Sequence, residues 1–200
     1  MQPTYYEDFT EIKNKIWSML DYAIKDRSSP FRIPVFICGH QDDFDGRIVV
    51  LRKSDQSDNT IQYHSDIRSN KIAKLKSNKN ASMLFYDKEE KIQVRAKVVC
   101  SINHENEVTK QSWFKTGHMS RKCYLVDNGP GTESPTPTSG LKPELDNFEY
   151  TMEQSQEGYK NFTVIQCKIK SLEWLYLAAK GHRRARFEFS DYTKGYWLIP

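Results

Sequence analysis

Between Tyr5 and Lys25 the apolar residues Ile12, Ile16, Met19, Leu20 and Ala23 recur at intervals of three and four, the spacing that lines one face of an α-helix. Thr4 and Glu7 stand three apart at its start, as in a capping box. Arg27-Ser28-Ser29-Pro30 ends the pattern, and Phe31 to Cys38 is short, β-branched and aromatic, which predicts a strand. Asp42 to Gly46 supplies turn chemistry, so Arg47 to Arg52 (RIVVLR) reads as the return strand of a hairpin. Thr60 to Ser65 alternates again, and Ile67, Ile72, Ala73 and Leu75 then give a helix that Asn78-Lys79-Asn80 closes.

Ala81 to Tyr86 and Ile92 to Ile102 predict two further antiparallel strands around Asp87-Lys88-Glu89-Glu90. In the second, Ile92, Val94, Ala96 and Val98 alternate with Gln93, Arg95 and Lys97, so one face is apolar and one polar. A polar side chain that faces into a barrel requires a partner, and a ligand with fixed donors and acceptors would meet Gln93 and Arg95 in that way. His104 to Tyr124 reads as a helix that buries Val108, Trp113 and Phe114, and about 127–147 as a loop or insertion rich in Pro, Gly, Ser and Thr. Strand patterning resumes over Phe162 to Leu177 and Arg184 to Phe189, and Trp197 to Pro200 is apolar enough to dock. The order predicts one domain over 1–200, mainly β, a closed antiparallel barrel with peripheral helices and an N-terminal helix at about 5–25.

At 200 residues with 38% hydrophobic and 12% aromatic content, the chain has material for one core and needs neither disulfide nor metal to stabilise it. The longest strongly apolar stretch, Trp174 to Ala179, is far shorter than the roughly 20 residues of a membrane span, so no membrane association is expected. MQPTYYEDFT lacks the basic start and apolar run of a secretory signal. Cys38, Cys100, Cys123 and Cys167 are scattered without a CxxC spacing, which fits reduced thiols in a cytoplasmic setting. Three of them fall in apolar strands and are expected to be inert, whereas the thiol of Cys123, beside Arg121 and Lys122, is a candidate for a lowered pKa. No GxSxG, HExxH, P-loop or GxGxxG is present, and the five histidines include no pair at metal-ligand spacing. No metal and no catalytic acid or base is therefore nominated.

The net charge of +4 is mild, but its distribution is uneven. Five cations and one acid lie between Ser65 and Lys79, four cations lie between Lys180 and Arg186, and Glu144 to Glu157 holds five acids with no Lys or Arg. Two basic clusters far apart in sequence are positioned to converge on one anion. Ser65, Ser69 and Lys71 stand where a strand gives way to a helix, the place where hydroxyls, unpaired amides and a lysine make a phosphate site. The competing reading makes Ser65 or Ser69 a helix cap and the cations a solvated face. The acidic stretch and modest net charge argue against a nucleic-acid partner.

In this order RIVVLR at 47–52, QYHSDIRSNK at 62–71, ASMLFYD at 81–87, KIQVR at 91–95 and GHRRARF at 181–187 resemble the pyridoxamine 5′-phosphate oxidase-like flavoproteins. The match is to their less characterised branch. It implies an antiparallel split β-barrel of the FMN-binding type, FMN as cofactor, and a homodimer with the cofactor at the subunit interface. By that resemblance Arg47, Val49, Val50 and Arg52 line the flavin, His64 and Ser65 fall beside the ribityl-phosphate, and Ser69 and Lys71 hold the phosphate. Gln93 meets the isoalloxazine ring, Arg186 approaches the flavin, and Arg121 contributes from the partner subunit.

The chain departs from the oxidase in having Asn70 where the oxidase has an arginine, with Arg68 one position away as a substitute. The segment Ser112 to His118 does not reproduce the oxidase's grip on its vitamin phosphate, and His182 and Arg184 replace the arginine and histidine that contact the substrate. The resemblance thus implies an FMN-dependent oxidoreductase with an unassigned small-molecule electron donor and acceptor, not the oxidase itself. The alternative on the same barrel is a non-catalytic flavin- or haem-binding sensor.

Overall fold

The computed structural model describes residues 4–146, 150–190 and 192–200. Helix α1 (Phe9–Lys25) buries Ile12, Ile16, Trp17, Met19, Leu20 and Ala23, the apolar face expected from its spacing. Its cap is Asp8, whose carboxylate accepts from the Glu11 amide at 2.9 Å, so the expected Thr4–Glu7 box is replaced by a residue four positions later. Strands β1 (Val35–His40) and β2 (Asp43–Ile48) form the first hairpin. Its turn is tighter than the sequence suggested. Gln41 takes φ +52°, and Asp43 to Gly46, expected as turn, already pairs with Ile37 to His40.

RIVVLR is accordingly divided between two strands. β2 ends at Ile48, β3 (Leu51–Asp55) begins after Val49-Val50, and β3 pairs with β4 (Thr60–Asp66). Helix α2 (Asn70–Ser77) leads to β5 (Asn80–Asp87) and β6 (Ile92–His104). The helix expected over His104 to Tyr124 is broken into α3 (Glu107–Lys115) and α4 (His118–Arg121) with a 3-10 turn at Lys122–Tyr124. Phe114, expected to be buried, is 82% exposed, whereas Trp113 is buried. The loop beyond keeps no strand up to residue 142, and residue 147, where it was expected to end, lies outside the described residues. β7 (Phe162–Tyr176), β8 (Arg183–Phe189) and β9 (Thr193–Leu198) complete the sheet; β9 occupies what read only as a docking tail.

The nine strands form one antiparallel sheet in the order β2-β1-β5-β6-β7-β4-β3, with β8 on β7 and β9 on β8. β2 and β3 lie at opposite ends of that path yet are joined by two residues, Val49 and Val50. The chain itself thus closes the barrel where the strand ladder does not, which is the split. The Val49 amide donates to the Pro34 carbonyl at 3.0 Å and anchors the junction.

The interior is filled by alternating strand residues, with Phe31 against Phe85 at 5.2 Å and Phe36 against Tyr63 at 5.0 Å between ring centroids. Along β6, Val94, Ala96 and Val98 point into this core, and Arg95 and Lys97 point out. Gln93 shares their parity, so it and Arg95 face the outside of the barrel rather than its interior. The polar rows of this sheet are its outer face.

At the start of α1, Phe9 stacks on Trp197 of β9 with centroids 4.4 Å apart and meets Phe187 edge-on at 5.9 Å. The ring lies over Gly195, where a Cβ would come within 2.9 Å of it. Gly195→Ala should therefore lower stability by about 1 to 3 kcal/mol through overpacking, measured as the shift in urea midpoint. The same change should cost far less in a Phe9→Ala background, because the clash and the ring disappear together.

Candidate functional site

Ser65 ends β4 on the inward side, with the same parity as the buried Tyr63, and Ser69 precedes α2. Ser69 occupies the N-cap position, but its side chain makes no capping bond. Its hydroxyl instead turns to Lys71. Lys71 Nζ donates to Ser65 Oγ at 2.8 Å and to Ser69 Oγ at 3.1 Å, and the two hydroxyls are 3.4 Å apart. Among the described residues no carboxylate forms an ion pair with this ammonium. Burial and the neighbouring charge of Arg47 push the Lys71 pKa down to about 8. Arg47, on β2 opposite Phe36, pairs with Asp45, yet its Nε is buried without a hydrogen-bond partner. Two cations and two hydroxyls thus converge where the amides of a helix start are also open.

Arg68 does not join them. Its guanidinium grips Asp66 through Nε at 3.0 Å and Nη2 at 2.7 Å, and donates to the carbonyls of Val126 and Asp127 at 3.1 and 2.9 Å. It ties the long loop to β4 and does not replace the guanidinium missing at Asn70.

His64 lies next to Ser65 in sequence but points to the opposite face of β4, as alternation along a strand requires. There it stands edge-on to Phe162, with centroids 4.8 Å apart, and lines a cleft of about 530 Å³ between β3, β4 and α3. Burial, and secondarily the charge of Arg52, lowers its pKa to about 3, so the imidazole is neutral at physiological pH. Arg52 enters the same cleft from a bulge in the β3–β4 ladder between Leu51 and Lys53, which re-aims its side chain. Its Nε is buried without a hydrogen-bond partner. Sequence reasoning missed the opposite wall, where Gln111, Ser112 and Lys115 of α3 face Gln62 and Gln166 of the sheet. The signal available was the alternation of β4, which puts Gln62 and His64 on one side.

The remaining expected residues fall elsewhere. Val49 is buried and Val50 half-buried at the β2–β3 junction. Gln93 and Arg186 share the outer face of the sheet, where register aligns Gln93 with Leu175 and Arg95 with Glu173, and Glu173 with Arg186. Glu173 accepts from both Arg95 and Arg184, while Arg186 lies over the Tyr196 ring at 5.3 Å. The two basic clusters do not converge within one chain. Ser65 pairs with Thr163 and Arg186 with Glu173, ten residues apart on β7, or about 33 Å along the strand.

Arg121 is a correction of a different kind. It is 1% exposed and donates to the carbonyls of Thr116 at 3.1 Å and Trp113 at 2.8 Å and to Ser155 Oγ at 3.3 Å, with its guanidinium 4.6 Å from the Trp113 ring centre. It holds α3 and α4 together within its own chain. The Cys123 thiol, expected to be lowered, is pushed up by desolvation and donates to the Ser120 carbonyl at 3.3 Å.

Residues 18–104, from α1 to the end of β6, match the family model described as pyridoxamine 5′-phosphate oxidase, FMN-binding domain. The whole chain is similar in structure to a pyridoxamine 5′-phosphate oxidase-related, FMN binding protein from Nostoc punctiforme, with a TM-score of 0.75, 100% of both chains covered and 14% identity. It is similar also to PhzG from Burkholderia lata, with a TM-score of 0.73, 100% of this chain and 98% of that chain covered, and 16% identity. The fold is that of the FMN-binding split barrels. No curated protein matches the chain by sequence.

The split barrel's cluster of Arg47, Ser65, Ser69 and Lys71 fits a phosphate group, because the half-buried Lys71 ammonium is held by hydroxyls alone and the Arg47 Nε is buried without a partner, although its guanidinium also pairs with Asp45. An anion bound there should favour the charged lysine. Sulfate, which stays a dianion throughout, should bind with constant affinity below about pH 7 and lose up to roughly tenfold per pH unit above about 8, as Lys71 deprotonates. Calorimetric titration over this range checks the sign, and Lys71→Arg should flatten the fall.

Proposed function

We propose that this protein binds FMN as a homodimer and is an oxidoreductase whose donor and acceptor are small molecules. The observation that carries this reading is the seat of Lys71 between the hydroxyls of Ser65 and Ser69, without an ion pair among the described residues and with Arg47 beside it. A phosphomonoester carries nearly two charges at neutral pH and calls for several charge-assisted partners. Ser65, Ser69, Lys71 and Arg47 would hold that phosphate, and the Val49-Val50 junction would offer backbone to the rest of the cofactor. Bound flavin supplies two-electron transfer; the protein orients it and limits side reactions. The cleft beyond β4, with Arg52 and neutral His64, is the place for the reacting partner. PhzG, of the same fold, was crystallised with tetrahydrophenazine-1-carboxylic acid, and the cations Arg52 and Lys115 suit an acidic molecule of comparable size.

Distance within one chain supports the dimer. Gln93 and Arg186 belong to the outer face, and Ser65 and Lys71 to the inner side of β4, well over a flavin's length away along β7. If both sets touch one FMN, they come from two copies of the chain. The exposed Ile37, Phe44, Ile48 and Tyr86 give the outer sheet an apolar surface suited to such a contact. Arg121 has no part in it, being committed within its own chain.

Native protein should show a flavin absorption spectrum and release one FMN per subunit, identified by mass. Arg47→Ala combined with Lys71→Ala should yield folded, colourless protein whose FMN affinity falls at least a hundredfold, in line with two lost charge-assisted contacts. Retained affinity in that variant would sink the proposed phosphate seat. Complementation tests the dimer separately. A Lys71→Ala chain and a Gln93→Ala, Arg186→Ala chain, each poor at binding alone, should regain one intact FMN site per mixed dimer when refolded together, about a quarter of all sites on random pairing.

A further inference from the structure

β6 and β7 set Cys100 directly opposite Cys167, with the two sulfurs 3.6 Å apart. The Cys100 amide donates to the Lys79 carbonyl at 2.8 Å, on the β5 side. Its backbone groups therefore turn away from β7, and the cysteines form a non-hydrogen-bonded cross-strand pair. Such pairs bring the Cα atoms to about 4.5 Å, within the span of roughly 4.4 to 6.8 Å that a disulfide tolerates. The sulfurs can then close by side-chain rotation while the ladder stays in place. We propose that Cys100 and Cys167 are a redox-sensitive pair that a hydroperoxide converts to an intramolecular disulfide, locking β6 to β7.

The chemistry balances with that oxidant alone. The thiolate of one cysteine attacks the O–O bond of hydrogen peroxide, gives a sulfenic acid and releases hydroxide, which takes up the thiol's proton as water. The second sulfur attacks the sulfenic sulfur, expels hydroxide and loses its own proton to it, so two thiols are oxidised, the peroxide is reduced, and two waters leave.

Both cysteines are buried, at 2% and 0% exposure, but the pair sits beside an irregularity in the sheet. The β6–β7 register shifts between Lys97 and Val98, two residues before Cys100, and β5 begins at Asn80, leaving the last residues of β6 without it. Hydrogen peroxide is little larger than water and reaches such a site by local opening. Contact with Cys100 and burial hold the Cys167 thiol well above its ordinary pKa, so oxidation should be slow near neutrality and faster at alkaline pH. Cys38, also buried, serves as the internal control. The cross-link would stiffen the strand that carries the anion cluster, since Cys167 also pairs with Ile61 of β4, four residues before Ser65.

The test uses the full chain with Cys123→Ser, which removes the exposed thiol and leaves three. Folded protein is treated with hydrogen peroxide, quenched, alkylated under denaturing conditions, digested and mapped by mass. The expected product joins the Cys100 and Cys167 peptides, leaves Cys38 alkylated, reverts with dithiothreitol and raises the urea midpoint. Cys100→Ala should show no intramolecular link. Alkylation of both cysteines after exhaustive treatment, separate oxidation to sulfinic acids, or a link formed only in unfolded protein would each overturn the proposal. None of these outcomes depends on FMN binding.

Discussion

β7 is the strand on which the rest of the molecule depends. Fifteen residues long, it pairs with β6 along one edge and carries β4 and then β8 along the other. Its length keeps β4, with the serine and lysine cluster, apart from β8, with its arginines. A shorter β7 would bring both basic segments to one end of the barrel and let a single chain surround a ligand. As built, the two basic segments of one chain stay at separate ends of β7. Antiparallel pairing also assigns each residue of β4 to one of two faces, and this alternation separates the buried anion seat from the open cleft.

The cluster at Lys71 is energetically unusual for an interior. Taking an ammonium out of water is costly unless it is paired, and here its depressed pKa records that cost. The hydroxyls of Ser65 and Ser69 meet part of it, and burying an acid beside them would meet the rest. The fold instead directs the nearby acids elsewhere: Asp66 is held by Arg68, Asp43 by Lys74 and Asp45 by Arg47. Each acid is matched to a cation next to the seat, which leaves Lys71 charged and without an acid.

Much of this fold was legible because period-two alternation survives wherever one strand face is buried. β4, β5, β6 and the part of β7 beyond Ile165 were all visible on that basis. Asp42 to Gly46 was not, since an edge strand exposed at Phe44 and Gly46 has no apolar row to reveal it, and its residues also make good turns. β9 was missed for the same reason, since only Gly195, under the Phe9 ring, and Leu198 are partly buried. The segments of the site were legible as an ordered set, and Ser65, Ser69 and Lys71 do meet. The grouping of His64 with Ser65 failed because adjacency in a strand means opposite faces. The inward placement of Gln93 failed because composition does not say which face of a two-faced strand is covered. The Cys100–Cys167 contact depends on register across β6 and β7, and spacing along the chain carries no trace of it.

Lys71 is half-buried and Arg121 buried, and among the described residues neither forms an ion pair with an acid, but their partners give them different chemistry. Arg121 donates mainly to carbonyl oxygens, which accept hydrogen bonds and cannot turn to donate to an incoming anion. An anion there would meet the same oxygens it must avoid. Ser65 and Ser69 present hydroxyls, which accept from the ammonium; their own hydrogens make only long contacts of 3.4 Å, from Ser65 to the Asp66 carbonyl and between the two hydroxyls, and can rotate toward a negative oxygen. When an anion arrives, the cation and both hydroxyls can become donors together with no change in backbone. A buried cation held by carbonyls is a structural tie, whereas one held by hydroxyls at an open helix start is preorganised for a ligand. That difference ties Arg121 to the architecture of α3 and α4 and leaves Lys71 with the chemistry the proposed phosphate seat requires.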